Sequence, residues 1–170
     1  VAYVDPKTGT ITGRDAGGSF GNLSSQKVTI TATSAANNVS REVQLTVTGK
    51  TGKYLSDVEI TGKNYLEIGQ ETDLTYTVYP KRVAQSDNLY ITWGIVTGED
   101  EDGNTTYSWA SKDEPATDGI GQIDSTGHYS IVTGGNATVA VKAQTGYYLS
   151  NGNFYEISSF IATYDMSNGI

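Results

Sequence analysis

The sequence predicts an all-β fold, and three observations carry that expectation. Val, Thr, Ile and Tyr are abundant and strong helix formers are scarce. Glycine is frequent, at 20, and proline rare, at 3, the balance of many short strands joined by tight turns rather than of a disordered chain. Apolar residues also recur with period two in short blocks bounded by turn residues, as they must when alternate side chains of a strand face a core.

The blocks succeed one another along the whole chain. VAYVDPKTGTITG, Val1 to Gly13, reads as strand, turn and strand. Val28, Ile30 and Ala32 alternate with threonines in KVTITAT, and Val43, Leu45 and Val47 alternate in REVQLTVT, each predicting a strand with one buried face. Val58 and Ile60, then Leu66 and Ile68 in YLEIG, then Leu74, Tyr76 and Val78 continue the pattern until Pro80, which cannot donate to a central ladder. Ile91, Trp93 and Ile95 form the next strand, with Trp93 expected in the core. Val139, Val141 and Ala143 come next, and Ile157 to Thr163 is the last strand. RDAGGSFGNLSS, Arg14 to Ser25, lacks the lysine and strand-to-helix setting of a phosphate loop and reads as a flexible connection.

Composition excludes several function classes. With 11 basic against 19 acidic side chains the net charge is -8, so the chain lacks the basic clusters that a nucleic-acid backbone demands. It has no cysteine, hence no disulfide framework or thiolate metal site. No apolar run approaches the ~20 residues of a membrane-spanning helix, and membrane insertion is not expected. The start has neither an initiator Met nor a signal segment, from which the expectation is that Val1 marks a cut rather than a translation start.

The pattern also contains itself. VAYVDPKTGTITG matches IGQIDSTGHYSIV, Ile120 to Val132, with Val4 and Asp5 on Ile123 and Asp124, and Gly9 on Gly127 if the first turn carries one extra residue. Downstream, Val28, Ile30 and Ala32 fall on Val139, Val141 and Ala143, and REVQLTVTG falls on FYEISSFIATYD. An internal repeat of this kind marks a modular array.

Read as one block, DVEITGKNYLEIGQETDLTYTVYP, ITWGIV and IGQIDSTGHYSIVTGGNATVAVKAQ resemble a bacterial immunoglobulin-like domain of group 2, the intimin/invasin type. The resemblance rests on the turn Gly69, Gln70, Glu71, on Pro80, on Thr92 and Trp93, on Ile123, Asp124 and Gly127, and on Gly135, Ala137 and Val139. It implies an immunoglobulin-like β-sandwich: residues 57–170 as a complete domain with an acidic insertion at 97–119, residues 1–49 as the C-terminal half of a preceding domain, and 50–56 as a polar linker. A half-sandwich cannot bury its own core. It is expected to be completed by upstream strands of a longer array, by strand complementation from a neighbouring subunit, or by docking on the later domain's edge.

Candidate chemistry is sparse. His128 is the only histidine, two positions before Ser130 on one strand face and without a plausible orienting acid, so it is expected as an exposed, turn-flanking residue. Asp100, Asp102 and Asn104 offer oxygens to calcium, but their spacing is not that of an EF-hand. A solvated hairpin tip with Asp102 and Gly103 in a tight type I′ turn is the expectation. No cofactor is expected. Tyr147, Tyr148, Phe154 and Tyr155 lie in an extended hairpin loop, 145–155, and Tyr107 and Trp109 in the acidic insertion. Such rings stack on sugar faces in carbohydrate-binding modules, so Tyr107, Trp109, Tyr147, Tyr148 and Tyr155 are the candidate glycan contacts. The sequons at Asn22, Asn38, Asn104 and Asn136 are expected by chance in a chain rich in Asn, Ser and Thr.

Together these features lead to the expectation of a non-catalytic structural and adhesive module, a spacer and interaction surface of a bacterial cell-surface protein or a phage virion. Its partners would be other proteins or neighbouring subunits, and surface glycans. The alternative is a carbohydrate-binding accessory domain of a larger secreted protein.

Overall fold

The computed structural model describes residues 1–19, 22, 23, 25–49, 54–85 and 88–169. The front segment contributes three antiparallel hairpins: β1 (Ala2–Val4) with β2 (Ile11–Gly13), β3 (Gly18–Ser19) with β4 (Asn22–Leu23), and β5 (Ser25–Thr33) with β6 (Ser40–Thr48). The main body begins with β7 (Asp57–Thr61), β8 (Tyr65–Leu66), β9 (Glu71–Asp73) and β10 (Thr75–Tyr79), followed by a 3-10 turn at Lys81–Gln85. It continues through β11 (Leu89–Glu99), β12 (Thr105–Trp109), β13 (Ala116–Thr117), β14 (Gly121–Ile123) and β15 (His128–Ile131). The long strands β16 (Gly135–Tyr148) and β17 (Phe154–Asn168) complete it.

The protein is all-β and sandwich-type. The main body holds the five-stranded sheet β12-β11-β16-β17-β8, the four-stranded sheet β13-β14-β15-β9 and the two-stranded sheet β10-β7. Alternation decides which side chains meet between them. Val58, Ile60, Leu66, Leu74, Val78, Trp93, Ile95, Ile123, Tyr129, Val139, Val141 and Met166 are all buried in one cluster. Trp93 stands in the core as its strand position predicts, edge-on to Tyr76 with centroids 6.2 Å apart. Tyr129, whose hydroxyl would be costly to bury alone, accepts a hydrogen bond from Nδ2 of Asn168 at 2.9 Å.

Several local expectations are corrected. YLEIG is a strand only at Tyr65–Leu66, and Ile68 is exposed because the chain turns there, with Gln70 N–H donating to Glu67 O. Tyr76 is exposed although Leu74 and Val78 are buried, and Leu74 itself lies between β9 and β10, donating its N–H to Gly127 O. The stretch 97–119 is largely strand: it carries β11 onward into the hairpin with β12 and then β13. The tip is not a type I′ turn, which needs positive φ at both central residues, because Asp102 does not adopt it. Gly103 alone does, at 81°, while Asp100 Oδ1 accepts the N–H groups of Asp102 and Asn104. The expected loop 145–155 is likewise mostly strand, with a bulge at Thr145/Gly146 and a turn only over Leu149–Asn153.

In the front segment, β5 and β6 pair over their full length, but their apolar face is not buried as the alternation predicts. Val28, Ile30, Leu45 and Val47 are half-buried, and Ala32 and Val43 are exposed. Arg14 to Ala16 are docked rather than flexible: Ala16 is buried, and Arg14 is ion-paired to the main body. Of the expected linker, residues 50–53 lie outside the described residues. Residues 54–56 are anchored, with Leu55 buried, its N–H donating to Ser158 Oγ, and Ser56 N–H donating to Tyr79 O. Docking of the front segment does not extend a sheet: its hairpins remain separate two-stranded sheets.

Candidate functional site

Residues paired directly across neighbouring strands share a face, which assigns the aromatic candidates. On β11, Trp93 and Ile95 point into the core, so Tyr90, Thr92, Gly94 and Val96 point outward. Trp109 pairs with Gly94 and Tyr107 with Val96, placing both rings on the outer face of the five-stranded sheet. They stack on each other, centroids 4.9 Å apart and 23° from parallel. Lys142, on the same outer face opposite Thr92, brings Nζ to 4.7 Å from the Trp109 centroid. Tyr107 and Lys142 both contact the indole, which is half-buried.

The other rings form two separate groups. Tyr148, Phe154 and Tyr90 meet edge-to-face at 5.2–5.7 Å, and Tyr148 is 64% exposed. Tyr147 and Tyr155 pair across the hairpin and stack at 5.2 Å, both exposed. Tyr147 and Tyr148 are consecutive in β16 and face opposite sides, which precludes one platform made of Tyr147, Tyr148 and Trp109. Tyr90, not singled out in the sequence, is a member of the Tyr148 group; its outward parity beside Trp93 was the available signal.

His128 corrects the expectation of a histidine without acids. β15 pairs with β9, so Nδ1 lies 2.7 Å from Asp73 Oδ1 and Nε2 3.1 Å from Glu71 Oε2. The hydrogen bond with Asp73, joined by that with Glu71, pushes the imidazole above its usual range. Both ring nitrogens are thereby engaged, leaving neither to serve as a base toward Ser130. At the hairpin tip, Asp100 uses both oxygens within the turn, Oδ2 accepting from Asn104 Nδ2, and the Asn104 N–H holds its carboxyl below the usual range. Among the described residues, no group of three or more Asp, Glu or His side chains is arranged to hold a metal ion. No helix among them is long and apolar enough to cross a membrane.

The junction between front segment and main body is the most built of the polar sites, and no periodicity in the sequence announces it. Arg14 Nε lies 2.7 Å from Asp57 Oδ2 and Nη2 3.0 Å from Glu59 Oε2, with only 14% of the arginine side chain exposed. Its guanidinium also stacks on Tyr3 and Tyr79, 4.2 and 4.5 Å from their centroids. Ser56 Oγ donates to Arg14 O, and Lys7 reaches Asp165 at 2.9 Å. Beside this junction a groove of about 530 Å³ opens between the half-buried face of β6 and the main body, lined by Ile11, Ala16, Leu45, Val47, Leu55 and Phe160.

The sequence repeat has a counterpart in hydrogen bonds. Asp5 Oδ1 accepts the N–H groups of Lys7 and Thr8, Asp5 N–H donates to Thr10 O, and Gly9 N–H donates to Asp5 O. Asp124 Oδ1 accepts the N–H of Thr126, Asp124 N–H donates to His128 O, and Gly127 N–H donates to Asp124 O. Gly9 and Gly127 share the left-handed conformation, φ 73° and 90°. The strand registers agree as well: Val4 opposite Ile11 repeats Ile123 opposite Tyr129.

A scan against protein-family models finds no match to the chain, and a search of curated proteins finds none.

Proposed function

We propose that the chain is a non-catalytic structural and interaction module of the group 2 immunoglobulin-like type. It would act as a spacer and contact surface in an array displayed on a bacterial cell surface or a phage virion. The observation that carries this reading is the repeated Asp-turn-Gly hairpin, Asp5–Gly9 and Asp124–Gly127, which supports a reading of two units of one kind in series. The junction around Arg14 supports it, since a guanidinium held by two carboxylates and two rings resists swivelling between units. So does the β16–β17 hairpin, which pairs from Gly135 opposite Asn168 to Tyr148 opposite Phe154 and ties the sheet together.

Stretching the chain by its ends tests the reading. The main body, residues 57–168, should unfold in one cooperative step lengthening the chain by roughly 350 Å, from ~3.5 Å per extended residue. Gradual extension without a step would sink a mechanical role. A second reading, glycan contact, draws on the exposed rings of Tyr148 and of the Tyr147–Tyr155 pair.

A further inference from the structure

Four strands of the front segment have counterparts in the main body: β1 and β2 match β14 and β15, and β5 and β6 match β16 and β17. The counterparts differ in their neighbours. β15 pairs with β9 through Tyr129 opposite Thr72, and β16 pairs with β11 through Val139 opposite Ile95, Trp93 opposite Val141 and Ile91 opposite Ala143. Among the described residues, neither β2 nor β5 has a second strand partner. The consequence is visible in burial. Tyr129 and Val139 are fully buried, whereas Ile11, the counterpart of Tyr129, is 41% exposed and Val28, the counterpart of Val139, is half-buried.

We infer that the open edges of β2 and β5, with the groove beside β6, form one docking surface for the front-half segment of a further unit of the same repeat. The inference rests on the array reading above. Both absent neighbours come from one contiguous stretch in the main body, residues 71–95, so the occupant is a single segment that supplies two strands. The strand against β5 runs antiparallel and presents alternating apolar side chains opposite Val28, Ile30 and Ala32. Its other apolar residues enter the groove lined by Ile11, Leu45, Val47 and Leu55.

Charge points to the same occupant. Residues 1–53 carry six basic and three acidic side chains, whereas residues 71–95, the stretch that supplies both neighbours in the main body, carry two basic and three acidic. A second copy of this chain is a poor donor, because its β9 and β11 already close its own core.

The test adds to the full chain, in trans, a peptide with the sequence of residues 71–99 and follows amide hydrogen exchange. The expected result is saturable uptake with protection of β2 and β5 amides rising by about tenfold, and exchange in β16 unchanged. Ile30→Asp in the chain should abolish uptake while leaving the Trp93 environment of the main body intact; a peptide carrying Trp93→Asp and Ile95→Asp should not bind. No binding, or binding that leaves β2 and β5 amides exchanging as before, overturns the inference. A peptide-free dimer that Ile30→Asp dissociates also overturns it, assigning the surface to a second copy. A chain that unfolds cooperatively under load yet ignores the peptide sinks this inference alone. One that takes up the peptide but extends without a step sinks the mechanical role alone.

Discussion

Gly94 and Trp109 face each other across β11 and β12 so closely that a Cβ on Gly94 would sit 2.5 Å from Cε3 of the indole. The ring lies across the glycine to reach Lys142 on the next strand. Gly94→Ala forces the ring, and the backbone oxygen of Ser108 at 2.6 Å, to shift. The expected cost is about 1–3 kcal/mol, as for an overpacked site, measured as a lower urea midpoint with unchanged slope.

Arg14→Ala leaves Asp57 and Glu59 without their common partner and removes the plate between Tyr3 and Tyr79. Docking of β1–β2 should weaken by about 2–3 kcal/mol, less than for a fully buried pair because the carboxylates keep some solvent. Faster amide exchange in β1 and β2 with unchanged exchange in β16 is the expected signature. Arg14→Lys should rescue only part of the loss, since an ammonium cannot fork to two carboxylates while stacked on rings.

His128 makes stability depend on pH near neutrality. Its hydrogen bonds with Asp73 and Glu71 raise the folded-state value above the usual 6.5, so its contribution is complete below pH 6.5 and is lost as pH rises through the folded value. The effect is small, because the side chain is 40% exposed and solvent screens the pair. Urea midpoints should fall as pH rises above about 6.5, and His128→Asn should flatten that slope. An imidazole that titrates at or below the unperturbed value in an NMR pH series would contradict the geometry.

The glycan reading is decided by the ring groups separately. If sugars bind at the exposed group, Tyr148→Ala should weaken binding at least about tenfold, the loss of one good stacking contact. Trp109→Ala should leave affinity unchanged, because the half-buried indole is already engaged by Tyr107 and Lys142. Titration of soluble oligosaccharides monitored by Tyr and Trp fluorescence reads both. Equal losses from the two variants would mean that the stacked pair opens on binding.

Much of the strand order was legible because its causes are local. Alternation located β5, β6, β7, β10, β11 and β16, and Gly9 and Gly127 could be aligned as turn glycines because a left-handed residue after an aspartate is a short-range requirement. The candidate sites were less legible. His128 and its acids are separated by more than 50 residues and meet only because β15 pairs with β9. Arg14 sat in a glycine-rich stretch with no periodicity to betray its partners. Tyr147 and Tyr148, neighbours among the candidate glycan contacts, are sent to opposite faces by strand pairing.

By itself the sequence determined where strands form, where they turn, and that one pattern occurs twice. The tertiary structure decided which copy of that pattern is buried. Val28-Thr-Ile30-Thr-Ala32 and Val139-Ala-Val141-Lys-Ala143 carry the same alternation, yet Val139, Val141 and Ala143 lie fully buried while their counterparts stay half-buried or exposed. Alternation specifies only that one face is apolar; water leaves that face only where side chains from distant strands cover it, as those of Leu74, Ile123 and Tyr129 do in the core that holds Val139 and Val141.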